Sequence, residues 1–404
     1  MHILIIPSER YVTKEEPLGG IFQYDQVHAL KRRGIQVGVI APMPRSLRLM
    51  KQGIKTWPKG VEVSDENGVR VYRYQGWGWI PGRVPFLSSQ FYLKLGQQMF
   101  KRYVADRGFP DVVHAHNILP AGLIAAWVKG KYGIPFAVTE HSSAYLTNRI
   151  RKWQVPLIKH VLRMADARIV VSPYLGRAMQ RRFGSLFCPW EWVPNILDKR
   201  FENQEIPKRR HTNKAGLFRI LNIASLVGIK NHANLLKAFS MKFKGNSSVQ
   251  LRIGGDGPLR ERLEQLAKNL GIAEQVKFLG ALTRQEVLTE MRECDLFVLS
   301  SNHETFGVVL IEALACGKPV VATACGGPND IVHKGNGLLV PPHDVNALAE
   351  AMDEILHHLD QYNPMAIRED CIARFGEKRV VDHLISIYNR LLIKTPKEES
   401  DGKK

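Results

Sequence analysis

The feature that most constrains this chain is an alternation, carried through twice, of short β-rich runs with longer stretches of helical periodicity. In the first half, 2–6, 36–41, 111–114, 136–139 and 167–171 read as strands, with helices over 21–33, 121–132 and about 155–165. In the second half the strands are 219–224, 249–254, 275–279, 296–300, 319–322 and 337–340. The helices there are 231–243, 258–270, 284–294, 307–315 and 346–357. Strands that alternate with helices pair in parallel and are covered on both faces. A length of 404 residues suits two such domains better than one. The expectation is an α/β protein with two Rossmann-like domains, 1–193 and 218–376, joined by a polar, aperiodic linker over 194–217. A helix over 377–393 should pack back toward the first domain, and a charged tail, 394–404, should be disordered.

Charge divides the halves. Residues 1–193 hold 28 Lys and Arg against 12 Asp and Glu, a net of +16. Residues 194–404 hold 29 against 26, a net of +3, so nearly all of the formal +19 lies in the first half. Such asymmetry suits a polyanionic partner (nucleic acid, anionic lipid or a phosphorylated substrate), or else only a soluble basic surface. Two stretches could lie on an anionic membrane surface. One is 77–103, where Trp77, Trp79, Phe86, Phe91, Tyr92, Phe100 and Tyr103 interleave with Arg83, Lys94, Lys101 and Arg102. The other is the basic stretch 149–168. No nucleic-acid module is recognisable, so no nucleic-acid partner is expected. No run of 18 apolar residues and no signal-peptide pattern occurs, which predicts a cytoplasmic protein, peripheral on the inner membrane face if the charge serves lipid. Five scattered cysteines without a C-x-x-C pair predict neither zinc site nor disulfide framework.

The chemistry concentrates in 300–319. A strand ends in a polar loop carrying Glu304, and Gly307 opens an apolar helix. Backbone N–H groups at a helix start form an anion site suited to a diphosphate, and a residue without a side chain lets that ligand approach. Glu312, within the apolar helix, needs a partner, either ribose hydroxyls or a structural ion pair. The pair Glu304 and Glu312, followed by Ala313-Leu314-Ala315-Cys316-Gly317-Lys318-Pro319 and Gly326-Gly327, closely resembles the donor-site signature of the group 1 (family 4) retaining glycosyltransferases of GT-B fold. The resemblance continues in Gly254-Gly255-Asp256-Gly257-Pro258, in 276–280 and in 336–340, and so spans nearly the whole second half.

That resemblance implies two domains facing across a cleft, with roles by position. Glu304 would hold donor-sugar hydroxyls and Glu312 the ribose. The N–H groups of Phe306, Gly307 and Val308 would face the phosphates, Phe278 and Leu279 would line the base pocket, and Gly254 would belong to the same nucleotide site. Lys230, in 225–231, matches the lysine that neutralises the leaving diphosphate, while Ser225 stands where the family often has arginine. In the first half, Gly19 and Gly20 resemble the glycine loop over the diphosphate, and His116 resembles the histidine beside the donor sugar. Glu140 and His141 are candidates for acceptor contact. With no D-x-D sequence, no metal and no cofactor are expected; the substrate would be a UDP- or GDP-linked sugar and the acceptor a glycan or lipid-linked hydroxyl. A nucleotide-sugar epimerase or a phosphorylase on the same fold, and more remotely a nucleic-acid-binding protein, are the alternatives.

Overall fold

The computed structural model describes residues 1–9, 11–13, 20–45, 60–78, 85–184, 187, 189–205 and 216–394. The chain divides into two compact units. The first comprises Met1–Val171, Gly176–Val193 and the segment from Val380 onward; the second comprises Ser172–Leu175 and Pro194–Arg379.

Eight strands form the sheet of the first unit: β1 (His2–Ile6), β2 (Gln36–Ala41), β3 (Val61–Glu66), β4 (Val69–Tyr74), β5 (Val112–His116), β6 (Phe136–Glu140), β7 (Ala167–Val170) and β8 (Glu191–Trp192). Their order is β3-β4-β2-β1-β5-β6-β7-β8, with only β3 and β4 antiparallel. β1, β5 and β6 are buried along their whole length, which is why they are so apolar. The sequence pattern above misses the β3–β4 hairpin, whose turn residues Asn67 and Gly68 have φ of 52° and 75°. Asn-Gly is the pairing that gives a two-residue turn the twist of its strands.

The structure corrects one membrane expectation. Pro85–Arg107 is a helix, and it turns Tyr92, Phe100 and Tyr103 into the core, where Trp77 is buried too. Spacings of eight, three and eleven residues put these aromatic side chains on one helix face. Lys94, Lys101 and Arg102 remain exposed, but Trp77, Tyr92, Phe100 and Tyr103 are turned away from that surface, and Phe91 is half-buried. Trp79, Arg83 and the side chain of Phe86 lie outside the described residues.

In the second unit the six strands β9 (Phe218–Ile223), β10 (Val249–Gly254), β11 (Val276–Gly280), β12 (Leu296–Leu299), β13 (Val320–Thr323) and β14 (Gly337–Val340) are all parallel, in the order β11-β10-β9-β12-β13-β14. The chain winds outward from β9 in one direction, then returns to β12 beside it and winds the other way. Loops leaving the carboxyl ends of two such neighbours diverge, and the crevice between them is where open α/β sheets bind ligands.

The described part of the expected linker is packed rather than free. Ile196, Leu197 and Phe201 are buried, Leu197 N donates to Phe375 O at 3.0 Å, and Arg368 donates to the Phe201 carbonyl at 3.0 Å. Three apolar residues in six make too short a pattern to stand out among lysines and arginines. Residues 206–215 lie outside the described part, as does the tail beyond Lys394. The last helix is Glu377–Lys394. It buries Val380, Val381, Leu384, Ile387, Tyr388 and Leu391, an amphipathic stripe, and its Asp382 meets Arg33 at 2.5 Å.

Candidate functional site

Lys230 closes a short 3-10 turn, Gly228–Lys230, just beyond β9. Glu304 sits in the loop beyond β12, the neighbouring strand. The two loops are stitched together by backbone and side-chain hydrogen bonds. Asn302 N donates to Ile229 O at 2.8 Å, Ser300 Oγ to Lys230 O at 3.0 Å, and Asn231 Nδ2 to Asn302 Oδ1 at 2.9 Å. Lys230 Nζ donates to Glu304 Oε1, which also accepts from Ser301 Oγ at 2.9 Å. The pair keeps 25% and 13% of its side-chain surface exposed, so solvent still screens it but a ligand can reach both groups.

The Glu304 loop is held by the segment after β13. Glu304 N donates to Cys325 O at 3.2 Å and Gly327 N to Glu304 O at 2.9 Å, and Ser172 Oγ donates to Thr305 O at 2.7 Å. The approach is so close that a Cβ on Gly326 would lie 2.2 Å from the Glu304 carbonyl oxygen, at a φ of 137° that side chains rarely adopt. Phe306 is buried edge-on against Phe375. Gly307, with φ 108°, opens the helix Val308–Ala315, and no side chain caps it. First-turn N–H groups lack partners within their own helix and carry its positive end. Glu312 lies half-buried on the same helix.

A third element of the second unit is the carboxyl end of β10 and β11. The register slips between Ile253 and Gly254, so Gly254 faces Gly280 and Leu279 is passed over. Gly255 N then donates to Gly280 O at 2.7 Å. Phe278 and Leu279 stay half-exposed beside this bulge, an apolar surface at the ligand-binding edge of the sheet. His232 opens the helix His232–Phe243 and is buried with neither ring nitrogen hydrogen-bonded. Burial first, and the charge of Lys230 second, push its pKa down to about 4. The ring is therefore neutral, and Lys230 is the cation of this loop.

In the first unit, His116 is the last residue of β5 and fully buried. Its Nδ1 lies 2.9 Å from His141 Nε2, and its Nε2 is 3.5 Å from Gln26 Nε2. Burial, with His114 and His141 adding to it, drives its pKa well below the usual histidine value, so it too is neutral. Gly20 caps the helix Ile21–Arg32 in the left-handed conformation. Glu140 accepts from the N–H groups of Ile118, His141 and Ser142 at 3.0, 2.9 and 2.6 Å, and from Tyr145. With its oxygens so committed and almost no surface, it clamps the loop ends of β5 and β6. The structure does not offer it to an acceptor.

Comparison with known proteins decides the family. The family model described as glycosyl transferases group 1 matches residues 203–369, and that described as glycosyltransferase family 4 matches residues 20–201. The chain belongs to the group 1, family 4 glycosyltransferases. A Bacillus subtilis glycosyltransferase assigned to teichuronic acid biosynthesis is 27% identical over 364 residues, 88% of this chain and 90% of that protein. The alpha-monoglucosyldiacylglycerol synthase of Streptococcus pneumoniae is 25% identical over 319 residues, 70% of this chain and 68% of that protein. Among solved structures, that of Anabaena HepE in complex with UDP-glucose superposes with a TM-score of 0.72 at 19% identity, covering 97% of this chain and 100% of that one. The fold is GT-B.

In this glycosyltransferase the expected residues of the second unit gather along one edge of one sheet. Lys230 and Glu304 are in direct contact, Phe306, Gly307 and Val308 start the adjoining helix, and Gly254, Phe278 and Leu279 lie at the ends of β10 and β11. In the first unit His116 lies with His141, and Gly20 begins a helix; Gly19 lies outside the described residues. Sequence reasoning missed Ser301, Asn302 and Asn231, which brace the Lys230–Glu304 pair, and His114 and Tyr388, considered below. The polar run Ser300-Ser301-Asn302 directly after an apolar strand was the available signal for the first group. Among the described residues no three His, Cys, Asp or Glu side chains gather as a metal ion would require, and no helix is long and apolar enough to cross a membrane.

Proposed function

We propose that this glycosyltransferase moves a sugar, with retention and without metal, from a UDP- or GDP-linked donor to a hydroxyl of a glycan or lipid-linked acceptor in polysaccharide or glycolipid assembly. The observation that carries the reading is the Lys230–Glu304 pair, held between the loops that follow β9 and β12 beside an uncapped helix start. An ammonium and a helix N-terminus suit a diphosphate, and a neighbouring carboxylate suits sugar hydroxyls. While no donor is bound the two charges satisfy each other; a donor offers each its own partner. In the proposed step the acceptor oxygen bonds to the anomeric carbon as the bond to the diphosphate oxygen breaks on the same face. The departing phosphate takes the acceptor's proton. Charge growing on the leaving oxygen meets Lys230 and the N–H groups of Phe306, Gly307 and Val308, the kind of preorganised stabilisation that dominates many such barriers. Glu312 is assigned the ribose, Phe278 and Leu279 with Gly254 the base side, Gly19 and Gly20 the diphosphate, and His116 the donor sugar.

Thermal shifts against UDP, GDP and ADP, with and without glucose attached, test this, because a ligand stabilises in proportion to the logarithm of its concentration over its dissociation constant. Glu312→Gln should weaken nucleotide binding by about 1–3 kcal/mol, whereas Glu304→Ala should spare the free nucleotide and weaken the sugar nucleotide. EDTA should leave transfer intact. Undiminished nucleotide affinity in a folded Glu312→Gln protein, or activity lost to EDTA and restored by magnesium, would overturn the corresponding assignment. Cytoplasmic placement at an anionic membrane surface fits the basic first unit. There Trp153 is exposed next to Arg149, Arg151 and Lys152, which are exposed too.

A further inference from the structure

His114 and His116 stand two residues apart on β5, so their side chains share one face of the sheet. Their rings stack at 4.6 Å with 25° between planes, and His116 stacks in turn on His141 at 5.1 Å and 20°. The innermost ring is tied at both nitrogens. His114 Nε2 lies 2.7 Å from Thr139 Oγ1 on β6, and His114 Nδ1 lies 2.7 Å from Tyr388 Oη on the last helix of the chain. Tyr388 also sets its ring edge against His114 at 5.7 Å. His114, His116 and Tyr388 are all fully buried, so no water competes for these contacts. A ring bonded through both nitrogens cannot turn about its Cβ–Cγ bond without breaking one of them. His116 is bonded firmly at one nitrogen only: its Nδ1 lies 2.9 Å from His141 Nε2, while at Nε2 its neighbour is Gln26 at 3.5 Å, the limit of a hydrogen bond. Its orientation therefore depends on His141 at one nitrogen and on the His114 ring it stacks against.

We infer that Tyr388 is a positioning residue for His116. Its hydroxyl fixes the His114 ring, and the fixed His114 ring sets the plane in which His116 meets the donor sugar. This rests on the role proposed above for His116, and it makes the last helix part of the transfer machinery. Tyr388→Phe keeps the ring and its edge contact but removes Oη, which frees His114 to rotate and unseats the stack. Small displacements of positioned groups are costly in turnover and leave remote binding intact. Release of UDP from UDP-glucose should accordingly fall about tenfold in kcat, with the dissociation constant of UDP unchanged within twofold.

A double-mutant cycle and a spectrum separate this from general loosening. If Tyr388 acts through His116, Tyr388→Phe should change turnover less than twofold in a His116→Ala background, since the group it positions is gone. Multiplying effects would overturn the inference, as would wild-type turnover in Tyr388→Phe. In protein labelled with 15N-histidine, Tyr388→Phe should move the ring nitrogen signals of both His114 and His116. Movement of His114 alone would overturn the coupling. Wild-type turnover in His116→Ala would instead remove the role given to His116, and the spectrum would then decide whether Tyr388 orients that ring.

Discussion

Gly327 offers a perturbation whose size can be read from geometry. Its φ of −52° suits any residue, so Gly327→Ala introduces no backbone strain, only one methyl group. That methyl would lie 2.3, 2.4 and 2.5 Å from Phe306 Cα, O and N, where ordinary contact is 3.4–4 Å. All three atoms are backbone, so no rotamer change relieves the clash, and the 304–306 loop must retreat by about 1 Å. Overpacking of this kind costs about 1–3 kcal/mol. The Gly327 N to Glu304 O bond, 2.9 Å in the native protein, adds about 1 kcal/mol if it breaks. For a unit of this size the sum of roughly 2–4 kcal/mol lowers the melting temperature by about 5–15 °C. The retreat also draws Glu304 from Lys230 and shifts the start of the helix Val308–Ala315. Displacement by about 1 Å can cost up to about 100-fold where geometry matters, so UDP or GDP binding should weaken by about tenfold or more. Calorimetric melting and nucleotide titration measure both. Gly228→Ala is the control, because a Cβ there meets nothing within 4 Å and Lys230 is two residues away. A Gly327→Ala protein that melts within about 1 °C of wild type and binds nucleotide normally would refute the claim that this contact seats the loop.

Burial raises the Glu140 carboxyl to about 7. An acid whose folded pKa is raised lends stability that is full below its unfolded value and is lost as pH climbs through the folded one, here between about pH 4.5 and 7 and on the order of 3 kcal/mol. Urea midpoints at pH 5 and 8 should show Glu140→Gln losing less stability with rising pH than wild type; equal slopes would contradict this. His114, lowered to about 3 by burial, has the opposite sign. It lends stability above about pH 6.5 that fades as pH falls toward 3, and His114→Gln should flatten that acid limb in the same titration. The exposed basic residues beside Trp153 should bind phosphatidylglycerol vesicles but not phosphatidylcholine vesicles, each contributing about 1 kcal/mol near the surface. About 0.5 M salt should release the protein. Arg151→Glu with Lys152→Glu should weaken sedimentation with the anionic vesicles, and unchanged sedimentation would move the contact elsewhere.

Much of the second unit was legible because its strands are short, mostly apolar and punctuated by glycines, and because the segment from Ser300 to Pro319 joins unusual features within one turn and one helix. The individual contacts were not legible. The Lys230–Glu304 ion pair joins residues 74 apart, and periodicity says nothing about which loops converge. The β3–β4 hairpin was passed over because its strands carry Glu62, Asp65, Glu66, Arg70 and Arg73, which blur the alternation that marks a half-buried strand. The stretch 77–103 misled for a different reason. Aromatic residues beside lysines look alike on a membrane-facing helix and on a core helix with a solvated back, and only packing tells them apart. Glu140 ends its strand where the alternation puts it, but its hydrogen bonds were not legible, since they come from backbone groups that carry no sequence signature.

The first unit is assembled from two distant stretches of chain. Asp382 reaches Arg33 across 349 positions and Tyr388 reaches His114 across 274. During synthesis the N-terminal sheet leaves the ribosome long before the helix that covers part of it. At about 5–20 residues per second, roughly ten to forty seconds separate the two. Until then His114 lacks its partner Tyr388, while the second unit, which needs no later segment, can fold. The order of birth therefore inverts the order of completion, and shortening the chain before Val380 would injure the unit made first.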